Sequence, residues 1–117
     1  MVKKSNEDAS WSSVELAKSF WKLYRTDEVE LERQSKIGEL EFDVFKVYEA
    51  SEDAERLEPL LRDLVRFATN SVEYAFIGTT VVEHAVRRLG PDVLLLLELA
   101  VPSKSLRKAV LSGVQFY

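Results

Sequence analysis

Cysteine is absent and histidine occurs once, at His84, so neither a disulfide framework nor a thiolate or multi-histidine metal site can be assembled from one copy of the chain. No metal and no cofactor is expected. The sequence holds no Gly-rich phosphate loop, no Gly-x-Ser-x-Gly elbow and no His-Glu-x-x-His helix, the short signatures of nucleotide binding, serine hydrolysis and zinc proteolysis. The longest apolar run, Val93 to Val101, is broken by Glu98 and falls far short of the ~20 residues that a membrane helix needs. Met1 to Ser10 carries two lysines and no apolar run, unlike a secretion signal. These absences predict a cytoplasmic protein that is not an enzyme and makes no membrane contact.

Glycine and proline are also scarce, at four and three of 117 residues, while 46 % of the chain is apolar, the composition of a packed globule rather than a disordered chain. A chain of this length buries roughly 60 to 70 % of its unfolded surface, enough for one core and not for two. Residues 1–117 therefore read as a single helical domain, with residues 1–11 as an N-terminal tail.

The net charge of −4 is unevenly distributed. Asp27 to Glu58 holds 12 acidic and 4 basic side chains, a local balance of −8, whereas residues 59–117 hold 5 acidic and 7 basic ones, a balance of +2. An acidic surface repels nucleic acid and attracts basic proteins.

The periodicity is helical nearly throughout. Ser12 with Glu15 forms a capping box for a helix over 13–25, whose stripe is Leu16, Ala17, Phe20, Trp21, Leu23 and Tyr24. The glutamate-rich stretch Glu28 to Gln34 reads as a loop or a solvated helical turn. Ile37, Leu40, Glu41, Val44 and Tyr48 follow helical spacing, while Phe42, Val44 and Lys46 also fit an alternating strand; helix is favoured, because a lone strand leaves its backbone unpaired, but the path of residues 27–50 stays open between one helix, a loop plus helix, and a strand. Ser51 is expected to cap the next helix, with Leu57, Leu60, Leu61, Leu64, Val65, Phe67 and Ala68 buried and Pro59 kinking or restarting it. After a break at Asn70 and Ser71, a short apolar helix is expected to end at Gly78, Thr79 or Thr80 to cap another that stops at Gly90, Pro91 to open a helix to Ala100, and Pro102 and Ser103 to start the last. Five to six short helices packed as antiparallel, HEAT-like hairpins give a compact all-α bundle.

Tyr74-Ala-Phe-Ile-Gly-Thr-Thr-Val-Val-Glu-His-Ala-Val86 resembles the hallmark of a small all-helical bacterial family of unassigned activity, whose members carry a tyrosine or leucine, an aromatic, then Ile/Val-Gly-Ala-Gly-Pro-Leu-Glu-Asp-Leu-Leu. Leu106-Arg-Lys-Ala-Val-Leu-Ser-Gly-Val114 is similar to its closing Phe-Arg-Arg-Ala-Leu-Ser-Gly-Val-Trp. Gly78, Glu83 and Gly113 match. Thr80 and Val81 replace the second glycine and the proline, His84 the acidic residue and Gln115 the terminal tryptophan. The similarity covers residues 50–117 and implies a helical fold without a mechanism.

Two sets of side chains stand out. Asp27, Glu28, Glu30, Glu32, Glu39, Glu41 and Asp43 form the densest acidic stretch, whose spacing does not match a calcium loop and which lacks a glycine at that loop's turn position. They are the expected contact for a basic protein partner, such as a toxin domain. Glu83, His84, Arg87 and Arg88 form a second polar cluster, in which helical spacing sets Glu83 beside Arg87 and His84 beside Arg88; a surface ion pair with a solvated His84 is the plain reading, and shared acid–base work requires Glu83 and His84 to line one pocket. Lys104, Arg107 and Lys108 are too few to predict nucleic-acid binding next to so acidic a half. The sequence thus reads as a non-enzymatic binding protein, an immunity protein or inhibitor of a basic toxin such as a nuclease, with a self-associating helical scaffold as the alternative.

Overall fold

The structure, a computed structural model, describes residues 12–36 and 45–114. The tail at 1–11, the choice between helix and strand at 37–44, and Gln115 lie outside the described residues. Among those described, the chain forms an all-α bundle with no strand: α1 (Ser13–Arg25), α2 (Glu28–Lys36), α3 (Phe45–Ser51), α4 (Ala54–Phe67), α5 (Ser71–Ile77), a π-helical segment (Gly78–Val82), α6 (Glu83–Leu89), α7 (Val93–Ala100) and α8 (Lys104–Leu111). Lys46, one end of the alternating pattern, lies in α3. The glutamate-rich stretch takes the helical of its two expected forms and extends it over nine residues, and none of the chain's described helices is long and apolar enough to cross a membrane.

α4 is the element against which α1, α3 and α7 pack. Leu57, Leu60, Leu61 and Leu64 recur at intervals of three and four and are fully buried, each contributing ~1.5–3 kcal/mol by removal from water. Opposite them α1 inserts Leu16, Ala17, Phe20 and Trp21, and the indole Nε1 donates to the Leu64 carbonyl at 3.0 Å, so the one polar atom of Trp21 is satisfied inside the core. α1 begins as its capping box requires: Ser12 Oγ accepts from the Glu15 amide at 3.1 Å and Glu15 Oε1 from the Ser12 amide at 2.9 Å. Ser13 Oγ donates to the nearly buried Asp63 on α4.

Several boundaries differ from the sequence reading. Ser51 is buried at the end of α3, where its hydroxyl donates to the Tyr48 carbonyl, and Asp53 caps α4 by accepting the Glu55 amide. α4 runs through Pro59 without a break. Arg107 turns back to donate to the carbonyls of Val101 and Pro102, so it serves the end of α7 rather than a basic patch. Gly90, at φ 90°, ends α6, and Ser103 caps α8, both as expected.

The largest departure is at Gly78, which does not stop a helix. Its φ and ψ are −62° and −48°, and α5 continues through the π segment into α6, with the Glu83 amide donating back to the Gly78 carbonyl five residues earlier. Thr79 and Thr80 are not caps: their hydroxyls donate to the carbonyls of Gly113 and Phe76. Glycine stands at 78 because a Cβ there would overlap the Val110 carbonyl of α8, and at 113 because a Cβ would overlap the Ala75 carbonyl of α5. The two backbones cross in contact, and the tertiary requirement overrides the local C-cap signal.

Alanine at either glycine forces the crossing apart. Gly78→Ala and Gly113→Ala should each cost at least ~2 kcal/mol in urea unfolding, the upper range for an overpacked site. A loss below about 0.5 kcal/mol at both would show that the crossing gives way freely.

Candidate functional site

Of the acidic residues expected to meet a partner, those described by the structure gather where α1 turns into α2. Asp27 accepts the Glu30 amide at 2.9 Å, the bond an N-cap makes, so its carboxylate helps to start α2 as well as adding charge. Glu30 pairs with Arg33 one turn on. Glu28 and Glu32 are exposed and lie four residues apart on one face. Val29, 78 % exposed, shares an open groove with Thr26, Asp27, Glu28 and Glu30. Four of the seven expected contact residues thus share this corner, while Glu39, Glu41 and Asp43 lie outside the described residues.

The second cluster is more enclosed than its sequence suggests. The π segment adds a residue to a helical turn and so advances the phase of everything after it by ~100°. Val81, Val82 and Ala85 are buried, and His84 and Arg88 face the turn between α3 and α4. There His84 Nε2 lies 2.8 Å from Glu52 Oε2, and Arg88 Nε lies 3.5 Å from the same oxygen. The imidazole packs on Tyr48, with ring centroids 4.9 Å apart, and burial raises the Tyr48 phenol above its usual pKa. His84 is therefore partly buried rather than freely solvated, with its side chain 26 % exposed. Tyr48, Glu49, Glu52, His84 and Arg88 line a cavity of about 400 Å³. Glu83 instead pairs with Arg87 at 2.8 Å and does not line that cavity, so the two halves of the acid–base pair read from sequence are not brought together.

A third charged centre carried no local signal. Glu73, at the start of α5, is 95 % buried and receives Arg25 Nε at 2.9 Å and Nη2 at 2.7 Å, with the Thr69 amide at 2.8 Å and the Thr69 hydroxyl at 3.1 Å. Arg25 also donates to the Phe67 carbonyl and stacks over the Trp21 ring. The guanidinium's hydrogen bonds hold the Glu73 carboxyl down at about 2 against the desolvation that would raise it, and the Thr69 bonds lower it further. With both oxygens engaged by protein donors, this centre clamps α1 to α5.

Comparison of the chain with family models, with curated proteins and with solved structures gives no match. The site is accordingly read from its own chemistry. Among the described residues no group of three or more His, Asp or Glu side chains is placed to hold a metal ion. The corner at α2 offers carboxylates around one exposed apolar side chain, and the cavity beside α6 offers two carboxylates, a guanidinium and two rings in contact at a 58° tilt.

The lowered Glu73 carboxyl fixes an acid sensitivity. A carboxyl depressed in the folded state contributes stability that is fully present above its unfolded value near 4.5 and is lost as pH falls toward about 2. Urea midpoints should therefore drop over that window. Glu73→Gln should flatten this part of the profile and cost ~1.5–3 kcal/mol at neutral pH, the loss of a charged hydrogen-bond partner, since the Arg25 side chain left behind is 42 % exposed and can be rehydrated; an unchanged pH profile in that variant would remove the clamp from the account.

Proposed function

We propose that the protein is a non-enzymatic binding module that neutralises a basic protein partner, in the manner of an immunity protein held against a toxin such as a nuclease. The observation that supports this reading is the corner at α2, where Val29 stands 78 % exposed among the carboxylates of Asp27, Glu28 and Glu32. An apolar side chain left in water amid like charges is a contact that a partner completes: the carboxylates steer a basic surface into place, and Val29 gives the encounter a short-range anchor. A basic groove that holds substrate phosphates is complementary to such a surface, so occupation by carboxylates competes with the substrate.

A second reading, self-association as a helical scaffold, is favoured by Leu95 and Leu99, one turn apart on α7 and 60 % and 69 % exposed. Light scattering from one to one hundred micromolar decides it: a mass that stays monomeric removes the scaffold, and a mass that rises with concentration and falls back in Leu99→Glu removes the monomeric inhibitor.

For the leading reading, the tagged protein is expected to retain a basic protein in stoichiometric amount at about 50 mM salt and to release it at about 500 mM. Glu28→Gln with Glu32→Gln should slow association about tenfold and reduce its salt dependence. Binding that is indifferent to both substitutions and to salt would sink the assignment of α2 as the contact.

A further inference from the structure

We infer that the cavity between the α3–α4 turn and α6 is a receptor for an arginine side chain presented by a polypeptide partner. The inference rests on the binding reading above and names a second point of contact, separate from the corner at α2.

Four features of the cavity converge on a planar cation. Its volume of about 400 Å³ falls in the range of small-ligand clefts. One wall is aromatic: Tyr48 and His84 pack at 4.9 Å, and an aromatic face attracts a guanidinium laid over it. Two carboxylates line it, Glu49 and Glu52, against the single guanidinium of Arg88. The internal contacts fall on one carboxylate oxygen: His84 Nε2 and Arg88 Nε both approach Glu52 Oε2, so Glu52 Oε1 and the exposed Glu49 carboxylate remain as acceptors for an incoming fork of N–H donors.

Arg88 is the feature that an anion would use instead. Its side chain is 62 % exposed, which places it at the rim, and its Nε is drawn toward Glu52. The fixed charges of the lining are the two carboxylates of Glu49 and Glu52 against the one guanidinium of Arg88, and Glu52 also receives His84. The placement of His84 and Arg88 at this wall follows from the π segment, so the receptor is built by the same backbone irregularity that the Gly78 crossing maintains.

His84 is the only histidine of the chain, so its imidazole proton signals report on this cavity without assignment. The full-length protein is titrated at pH 7.5 with three probes: N-acetyl-arginine amide, free L-arginine and N-acetyl-glutamate amide. The blocked arginine should move the His84 signals saturably, with a Kd in the millimolar range expected of one side chain. Glu49→Gln, which changes an exposed residue and leaves the fold intact, should weaken that binding about tenfold, the loss expected for one charged hydrogen-bond partner. Glu28→Gln with Glu32→Gln should leave it unchanged, so failure at α2 and failure here are distinguishable. A response to the blocked glutamate instead overturns the proposal in favour of an anion site at Arg88. Saturation by free arginine alone overturns it in favour of a free amino acid, and no saturable response to any probe overturns it outright.

Discussion

Two backbones in direct contact set the geometry on which the candidate cavity depends. Where α5 runs into the π segment it crosses α8 so closely that neither Gly78 nor Gly113 has room for a Cβ. The chain keeps its helical path through the crossing by widening one turn, with the Glu83 amide reaching back five residues to Gly78. That extra residue advances the register of α6. Val81, Val82 and Ala85 go into the core, and His84 and Arg88 come round to Glu52. In an uninterrupted α-helix the same sequence would present a different face to the α3–α4 turn. The polar chemistry at one edge of the molecule is thus a consequence of backbone packing at another.

The core and the charged clamp divide the remaining work. Burial of the α4 leucines against α1 provides non-directional stabilisation, while Trp21 Nε1 on the Leu64 carbonyl and Arg25 on Glu73 fix how α1 is rotated and where its end lies. Among the described residues no buried side-chain nitrogen or oxygen lacks a hydrogen-bond partner. The polar groups inside the bundle therefore select an arrangement without leaving the penalty of an unmade bond.

Local signals were enough for the all-α class, for α1 with its capping box, for the buried stripe of α4, for the stop at Gly90 and for the start of α8 at Ser103. They failed where two residues compete for one role or where a distant partner decides. Ser51 and Asp53 are both good caps, and Asp53 takes the position because Ser51 is already closing α3 in the interior. Gly78 has the identity of a helix stop, yet its reason is Val110, far along the chain. Glu73 and Asp63 look like solvated charges in sequence and are buried because Arg25 and Ser13, some fifty residues away, supply their donors. Of the cavity, the His84 and Arg88 pairing on one helical face was legible, but Tyr48 and Glu52 enter from another segment, and no periodicity within α6 announces them. At the acidic stretch the charge itself was legible, whereas the double duty of Asp27 as a cap emerges only once α2 is seen to begin at Glu28.

The separation between α1 and its acceptors has a further consequence for how the chain reaches this state in a cell. Phe20 and Trp21 leave the ribosome well before the segment that covers them, since Trp21 meets the Leu64 carbonyl 43 residues later in synthesis and Arg25 meets Glu73 after 48. At ~5–20 residues per second the aromatic face of α1 spends several seconds without its counterpart. During that interval the nascent helix is an amphipathic segment with two large rings in water, the kind of surface that chaperones shield and that neighbouring nascent chains on a polysome can reach. Docking of α1 is therefore a late event by construction, and the yield of native protein becomes a question of translation speed and nascent-chain crowding as much as of equilibrium stability.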